Sequence, residues 1–308
     1  MKKGGELRLL NLLVRSSKRN DREITVLNRG KRGRPYKYSH EFILSIYLLY
    51  VFLDKSMSKV LDFIGDLIPT LPHRTTIIKR LDKLDLYFKD MLEENRRRVK
   101  SKRKLTLIYD STGLSHRIGG YYRISKYGSK VRRWFKLHVL IDMESQTLLS
   151  YSITTDDISD VKMLEQMLID LRRWYKGEVK LYSDKIADSH KIYELCRELG
   201  IRLIVPPISG AKFRFKNRNV RGEINYLRDM YIYEINRYGY DYWRDKYKYG
   251  KRWLVETYFS RLKMILGEKV RGKNFENVVR YVLGMLILLS NFIFLLCVIS
   301  HITRYNHK

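Results

Sequence analysis

One stretch constrains this chain more than any other: Tyr249 to Lys263, reading YGKRWLVETYFSRLK. Read as a helix, it sets Val255, Phe259, Leu262 and Leu266 at i, i+4, i+7 and i+11, an entirely apolar stripe. Arg252, Glu256 and Lys263 fall at i, i+4 and i+11 on a neighbouring face, with Tyr249 one turn earlier on that stripe. Such a helix buries one face in a core and presents the other. The presented face carries a single carboxylate between two cations, a poor choice for a solvated surface but suited to a site that handles a metal ion and phosphates together.

Composition narrows the partner. Across 308 residues and 37.1 kDa, 62 Lys and Arg stand against 33 Asp and Glu, giving a formal net charge of +29 and a pI near 10.0. An excess of that size favours a polyanion, nucleic acid before membrane. The 24 tyrosines interleaved with it add phenolic donors for phosphates and rings for stacking. Cys196 and Cys297 offer no zinc spacing, and the start MKKGGELRLLNLLVRSSKRN is too charged for a secretory signal. A reducing, cytoplasmic setting is the expectation, with no membrane partner. Against it stands Val282 to Ser300, long and free of charge. It reads either as a membrane span or, given Asn291 and two serines, as a buried C-terminal helix.

The spacing Tyr249, two residues, Arg252, three residues, Glu256, six residues, Lys263 resembles the Y-R-E-K signature of a branch of the prokaryotic insertion-sequence transposases of the DDE class. The resemblance implies two upstream aspartates at the ends of buried strands. Leu105 to Tyr109 is an apolar strand ending in Asp110, and Tyr-Asp-Ser-Thr is similar to the family's local pattern. Val179 to Ser183 is a second strand, ending in Asp184. The family commonly has a glycine-tyrosine pair before an Asp-Ser. This chain reads Asp184-Lys-Ile-Ala-Asp188-Ser189, which favours Asp184 and leaves Asp188 as the alternative.

In chain order, residues 1–36 form a basic arm. Its Arg32-Gly33-Arg34-Pro35 resembles an AT-hook, which would place Arg32 and Arg34 in a minor groove; the plain alternative is a basic linker. Residues 37–100 read as helical. After Pro69 and Pro72 comes HRTTIIKRLDKLDLYF, with Arg74, Thr75, Thr76, Lys79 and Arg80 near its start, which suits a helix-turn-helix DNA reader or a simple helical bundle. RRRVKSKRK at 96–104 marks the expected boundary.

Residues 101–300 then read β-β-β-α-β-α-β-α: strands at 105–109, 133–142 and 148–155, a helix at 160–175, and a strand, helix and strand to Pro207. That order predicts an α/β, ribonuclease H-like domain, a mixed sheet with helices on both faces. His138, inside an apolar strand, reads as a core residue. A basic, aromatic insertion at about 208–248 precedes the last helix.

Carboxylate oxygens without a Cys or His cluster select Mg²⁺ or Mn²⁺. The resemblance implies two such ions held by Asp110, Asp184 and Glu256, with Asp110 shared, and phosphoryl transfer that cuts transposon ends and joins their 3′-hydroxyls to target DNA. Arg252, Lys263 and Tyr249 would contact the DNA backbone. A homodimer on double-stranded terminal repeats and target is the implied assembly. The other readings are a metal-dependent nuclease, a non-catalytic DNA-binding derivative and a basic membrane protein.

Overall fold

The computed structural model describes residue 11 and residues 24–116, 134–155, 157–213, 226–272 and 274–305, with side chains within 291–305 left out. The basic loop 119–133, the centre of the insertion at 214–225 and most of the first 23 residues lie outside that set. Two compact units divide the chain: Met1–Met91 with Arg261–Lys308, and Leu92–Ser260. These divisions fall inside two helices, and the C-terminal segment groups with the N-terminal one.

The first unit is helical. Helix α1 (His40–Leu53) starts where the Ser39 hydroxyl accepts from the Phe42 amide at 3.1 Å. It is apolar on nearly all sides and buries Phe42, Ile43, Ile46, Leu49 and Val51. Helix α2 (Met57–Gly65) follows, then α3 (Arg74–Lys79) and α4 (Asp82–Lys100). The helix expected from His73 onward is therefore two helices, broken at Arg80 and Leu81. The charged stretch 87–104, expected as a boundary, contains the division between Met91 and Leu92 and is helical as far as Lys100. Arg96, Arg97 and Arg98 pair with Glu93 and Glu94 at i, i+3 and i, i+4, spacing that supports a helix. The final helix, Phe275–Tyr305, buries Val278, Val282, Met285, Leu286 and Leu289. At Gly284 an added Cβ would lie 2.9 Å from Val51 Cγ2, so glycine lets the last helix approach α1. Among the described residues no helix is long and apolar enough to cross a membrane.

The second unit holds strands β1 (Lys104–His116), β2 (Trp134–Asp142), β3 (Leu148–Thr155), β4 (Glu178–Tyr182) and β5 (Ile201–Ile204), in the order β3-β2-β1-β4-β5. β2 and β3 run antiparallel as a meander from β1; β4 and β5 run parallel to it. Helices α5 (Asp160–Trp174) and α6 (His190–Glu198) supply the crossovers that parallel strands need. This is the ribonuclease H-like α/β arrangement that the element order predicts.

The insertion is ordered where described. Helix α7 (Leu227–Tyr238) and α8 (Tyr240–Lys246) bury Tyr231, Ile232 and Trp243, so its aromatics build core as well as surface.

Candidate active site

The sheet register sets the first two carboxylates. β1 and β4 run in parallel register up to the pair Ile108↔Tyr182. Asp110 and Asp184 each lie two residues further on, which sets both beyond the same end of the β1–β4 pairing, on adjacent chain segments. Asp110 is inside β1 rather than at its end: β1 continues to His116, paired with β2, and Asp110 lies opposite Val139. Asp184 lies just beyond β4 in extended backbone (φ −79°, ψ −179°) and caps a short 3-10 turn by accepting from the Ile186 amide at 3.0 Å.

The third carboxylate arrives on helix α9 (Trp253–Leu266). Val255, Phe259, Leu262 and Leu266 are all buried, as their spacing requires, while Glu256 stays 60% exposed. The helix is shorter than expected. Tyr249–Arg252 is a 3-10 turn entered through Lys248 in the left-handed region (φ 55°). Tyr249 is anchored inward: its hydroxyl donates to the Ser183 carbonyl at 3.0 Å and its ring packs 5.2 Å from Trp243. Its polar atom is thus spent tying the start of this region to the residue before Asp184, whereas the sequence reading aimed it at DNA.

Arg252 joins the set. One guanidinium nitrogen donates to Asp110 Oδ2 at 3.1 Å and another to Glu256 Oε1 at 2.6 Å. Burial pushes the Asp110 carboxyl up to about 6; the Ser111 amide and Arg252 oppose this, and Asp184 and Glu256 add to it. Burial also raises Asp184, against the Ile186 amide and Arg252. Desolvation is the leading cause of both shifts, so the raised values report two carboxyls partly withdrawn from water; their hard oxygens are of the kind that a divalent cation takes. With Arg252 between Asp110 and Glu256, no three of His, Cys, Asp and Glu among the described residues lie close enough to hold a metal ion.

Asp188, the alternative, is engaged elsewhere. Arg228 donates to both of its oxygens at 2.7 and 3.0 Å, and the Ile208 amide adds a third bond at 2.8 Å. His138 is fully buried between the Tyr109 hydroxyl (3.0 Å) and the Thr154 hydroxyl (2.9 Å), and burial lowers its pKa, so it stays a neutral core residue.

The remaining residues are dispersed. Lys263 pairs with Glu268 at 3.4 Å. Arg74, Thr75 and Lys79 on α3 are exposed and Thr76 is half-buried. Arg80 is committed to the start of α1: it donates to the Tyr38 carbonyl at 2.5 Å, meets His40 Nδ1 at 2.6 Å and lies 4.6 Å from the Tyr36 ring. Arg32 and Arg34 are exposed, with Gly33 at φ 90° between them. Sequence reasoning missed the contact of Arg252 with Asp110 and the tether of Tyr249. The i, i+4 spacing foreshadows the Arg252–Glu256 half of that bridge; nothing local foreshadows the Asp110 half.

Residues 101–291 match the transposase DDE domain family. An uncharacterized protein of Aquifex aeolicus is 26% identical over 295 residues, 91% of this chain and 85% of that protein. Among solved structures, the piggyBac transposase synaptic complex with hairpin DNA is 11% identical, with 92% of this chain and 72% of that one covered and a TM-score of 0.43. The Mos1 transposase catalytic domain with raltegravir and Mg is 14% identical, covering 54% and 90%, with a TM-score of 0.27. The fold assignment rests on the strand order rather than on these two likenesses.

Proposed function

The chain belongs to the transposase DDE domain family, and from that premise we propose that it is an active DNA transposase of the insertion-sequence type. It cuts the ends of its element and joins their 3′-hydroxyls to target DNA. The observation that carries this reading is the placement of Asp110 and Asp184, each two residues beyond the last β1–β4 pair, with Arg252 connecting Asp110 to Glu256.

In this reading Asp110, Asp184 and Glu256 hold two Mg²⁺ or Mn²⁺ ions. When bound, those ions supply charge neutralisation for the attacking and leaving oxygens of an in-line displacement at phosphorus. The half-buried pair Asp110 and Asp184 fixes the position of the site, because Asp110 sits within β1 and Asp184 follows the end of the adjacent β4. Glu256, on the exposed face of α9, supplies the adjustable donor. Arg252 and Lys263 hold phosphates beside the scissile bond, and Tyr249 keeps Arg252 and Glu256 in place through Ser183. Arg74, Thr75, Thr76 and Lys79 of the helical unit, with Arg32 and Arg34 of the arm, contact double-stranded DNA. The +29 charge supports a phosphate backbone as partner. A homodimer brings two terminal repeats together, and the protein acts on the chromosome in the cytoplasm.

Incubating the purified protein with labelled DNA carrying the element's own ends, in Mg²⁺ or EDTA and beside Glu256→Gln, tests this. Metal-dependent cutting and end joining that vanish in Glu256→Gln are expected; Glu256 is exposed, so the variant retains its fold. Cutting without joining would make the protein a nuclease. Binding without chemistry under any divalent metal would make it a non-catalytic DNA-binding protein.

A further inference from the structure

The arrangement of Arg252 admits a role beyond holding a phosphate. Its guanidinium is divided between two carboxylates on separate elements, Asp110 of β1 and Glu256 of α9, and the three side chains are 22%, 17% and 60% exposed. A planar fork spread over two acids satisfies each with a single bond, and both acids are oxygens that a divalent cation would need. Among the described residues the carboxylates facing it are Asp110 and Glu256 directly, and Asp184, whose carboxyl also feels Arg252; the Tyr249 phenol feels it as well.

We propose that Arg252 is a resident counter-ion that latches Asp110 to Glu256 until a DNA phosphate draws it away, so that DNA binding and divalent-metal loading favour one another. This rests on the metal site proposed above. In the latched state Asp110 Oδ2 and Glu256 Oε1 are occupied by the guanidinium. A phosphodiester is a third anion competing for the same fork. Moving the fork to phosphate frees both oxygens for a metal, and a metal on those oxygens displaces the fork toward phosphate. Linkage makes the effect reciprocal: whatever factor DNA adds to metal affinity, metal adds to DNA affinity. The consequence is an enzyme that stays unloaded, and so unreactive toward water and free nucleotides, until an end is in place.

The test is calorimetric titration of the full chain with Mn²⁺, with and without a short duplex oligonucleotide whose own Mn²⁺ uptake is subtracted. In the unaltered protein the duplex is expected to tighten Mn²⁺ binding by on the order of tenfold. In Arg252→Gln, Mn²⁺ binding without DNA is expected to tighten severalfold and to lose most of its response to DNA. Arg252→Lys, which keeps the charge but not the fork, is expected to lose the same response. Lys251→Gln removes an equal charge one residue earlier, from an exposed side chain. A matching rise in that variant would reduce the effect to general electrostatics and overturn the latch. So would an undiminished DNA response in Arg252→Gln. Asp110→Asn separates the two proposals: Mn²⁺ binding that survives it in every arm overturns the metal site itself, and the latch with it.

Discussion

Two arginines in the same unit hold carboxylates, and the difference between them divides framework from mechanism. Arg228 gives both of its ion-pair contacts to one acid, Asp188, and a third hydrogen bond to the Lys212 carbonyl, and that acid takes a backbone amide as well; the two side chains are 6% and 0% exposed. Arg252 divides its contacts between Asp110 and Glu256 and reaches solvent. The first pair has no competitor, since water and ions do not reach it. The second sits where an incoming phosphate or cation can exchange with either partner. Asp184 and Asp188, one turn apart, fall on opposite sides of this division: Asp188 is consumed by the fold, whereas Asp184 gives one oxygen to the Ile186 amide.

The largest effect that could break this comparison is on the buried pair. Replacing Arg228 with Met leaves the Asp188 carboxylate buried with one amide for company, and loss of one partner of a buried pair costs about 3–5 kcal/mol. Urea denaturation of the metal-free protein should show a midpoint shift of that size with an unchanged slope. A loss under about 1 kcal/mol would mean that Arg228 is no more structural than a surface arginine.

Asp110 should show an intermediate effect of opposite sign. Its carboxyl is raised from 3.8 to about 6 in the folded chain. A carboxyl whose folded value lies above its unfolded one contributes stability that is complete below the unfolded value and is lost as pH rises through the folded value. Wild-type protein in EDTA should therefore lose stability between pH 4 and pH 7 relative to Asp110→Asn. The variant should be the more stable by on the order of 1–3 kcal/mol at pH 8, with the gap closing toward pH 4. Parallel stability profiles for the two proteins would show that Asp110 carries no such strain.

Much of the fold was legible because burial leaves a periodic trace. Val255, Phe259, Leu262 and Leu266 announce the buried face of α9, and the apolar runs at 133–142 and 148–155 match β2 and β3 nearly to the residue. What was missed lacks a local trace. β1 runs past Asp110 because Ser111, Thr112 and Gly113 pair with His138, Leu137 and Lys136, a ladder made by backbone groups that polar side chains do not advertise. The 3-10 turn at Tyr249–Arg252 follows a left-handed Lys248, a conformation that lysine does not signal. The tyrosine-rich insertion reads as a surface for contact with DNA ends or, almost equally, as a solvated excursion. Tyrosine is amphipathic, though, and Tyr231 and Tyr249 bury their rings while their hydroxyls reach the Leu203 and Ser183 carbonyls. Asp188 was left open as a candidate because its partner Arg228 is forty residues away.

The smallest expected effect sharpens the comparison most. Arg252→Gln removes two ion pairs but exposes the freed acids to water, so its cost in EDTA at pH 8 should stay within about 1 kcal/mol, the range of accessible salt bridges. The cost should also depend on pH. Arg252 holds the Asp110 carboxyl down against burial, so the attraction exists only while Asp110 is ionised. Lowering the pH below 6 should narrow the gap between wild type and variant. A site arginine that stabilises only the charged form of its partner is one the fold can release, and release is what phosphate binding at this position requires. An Arg252→Gln loss as large as that of Arg228→Met would place Arg252 in the framework and leave the site without a releasable cation.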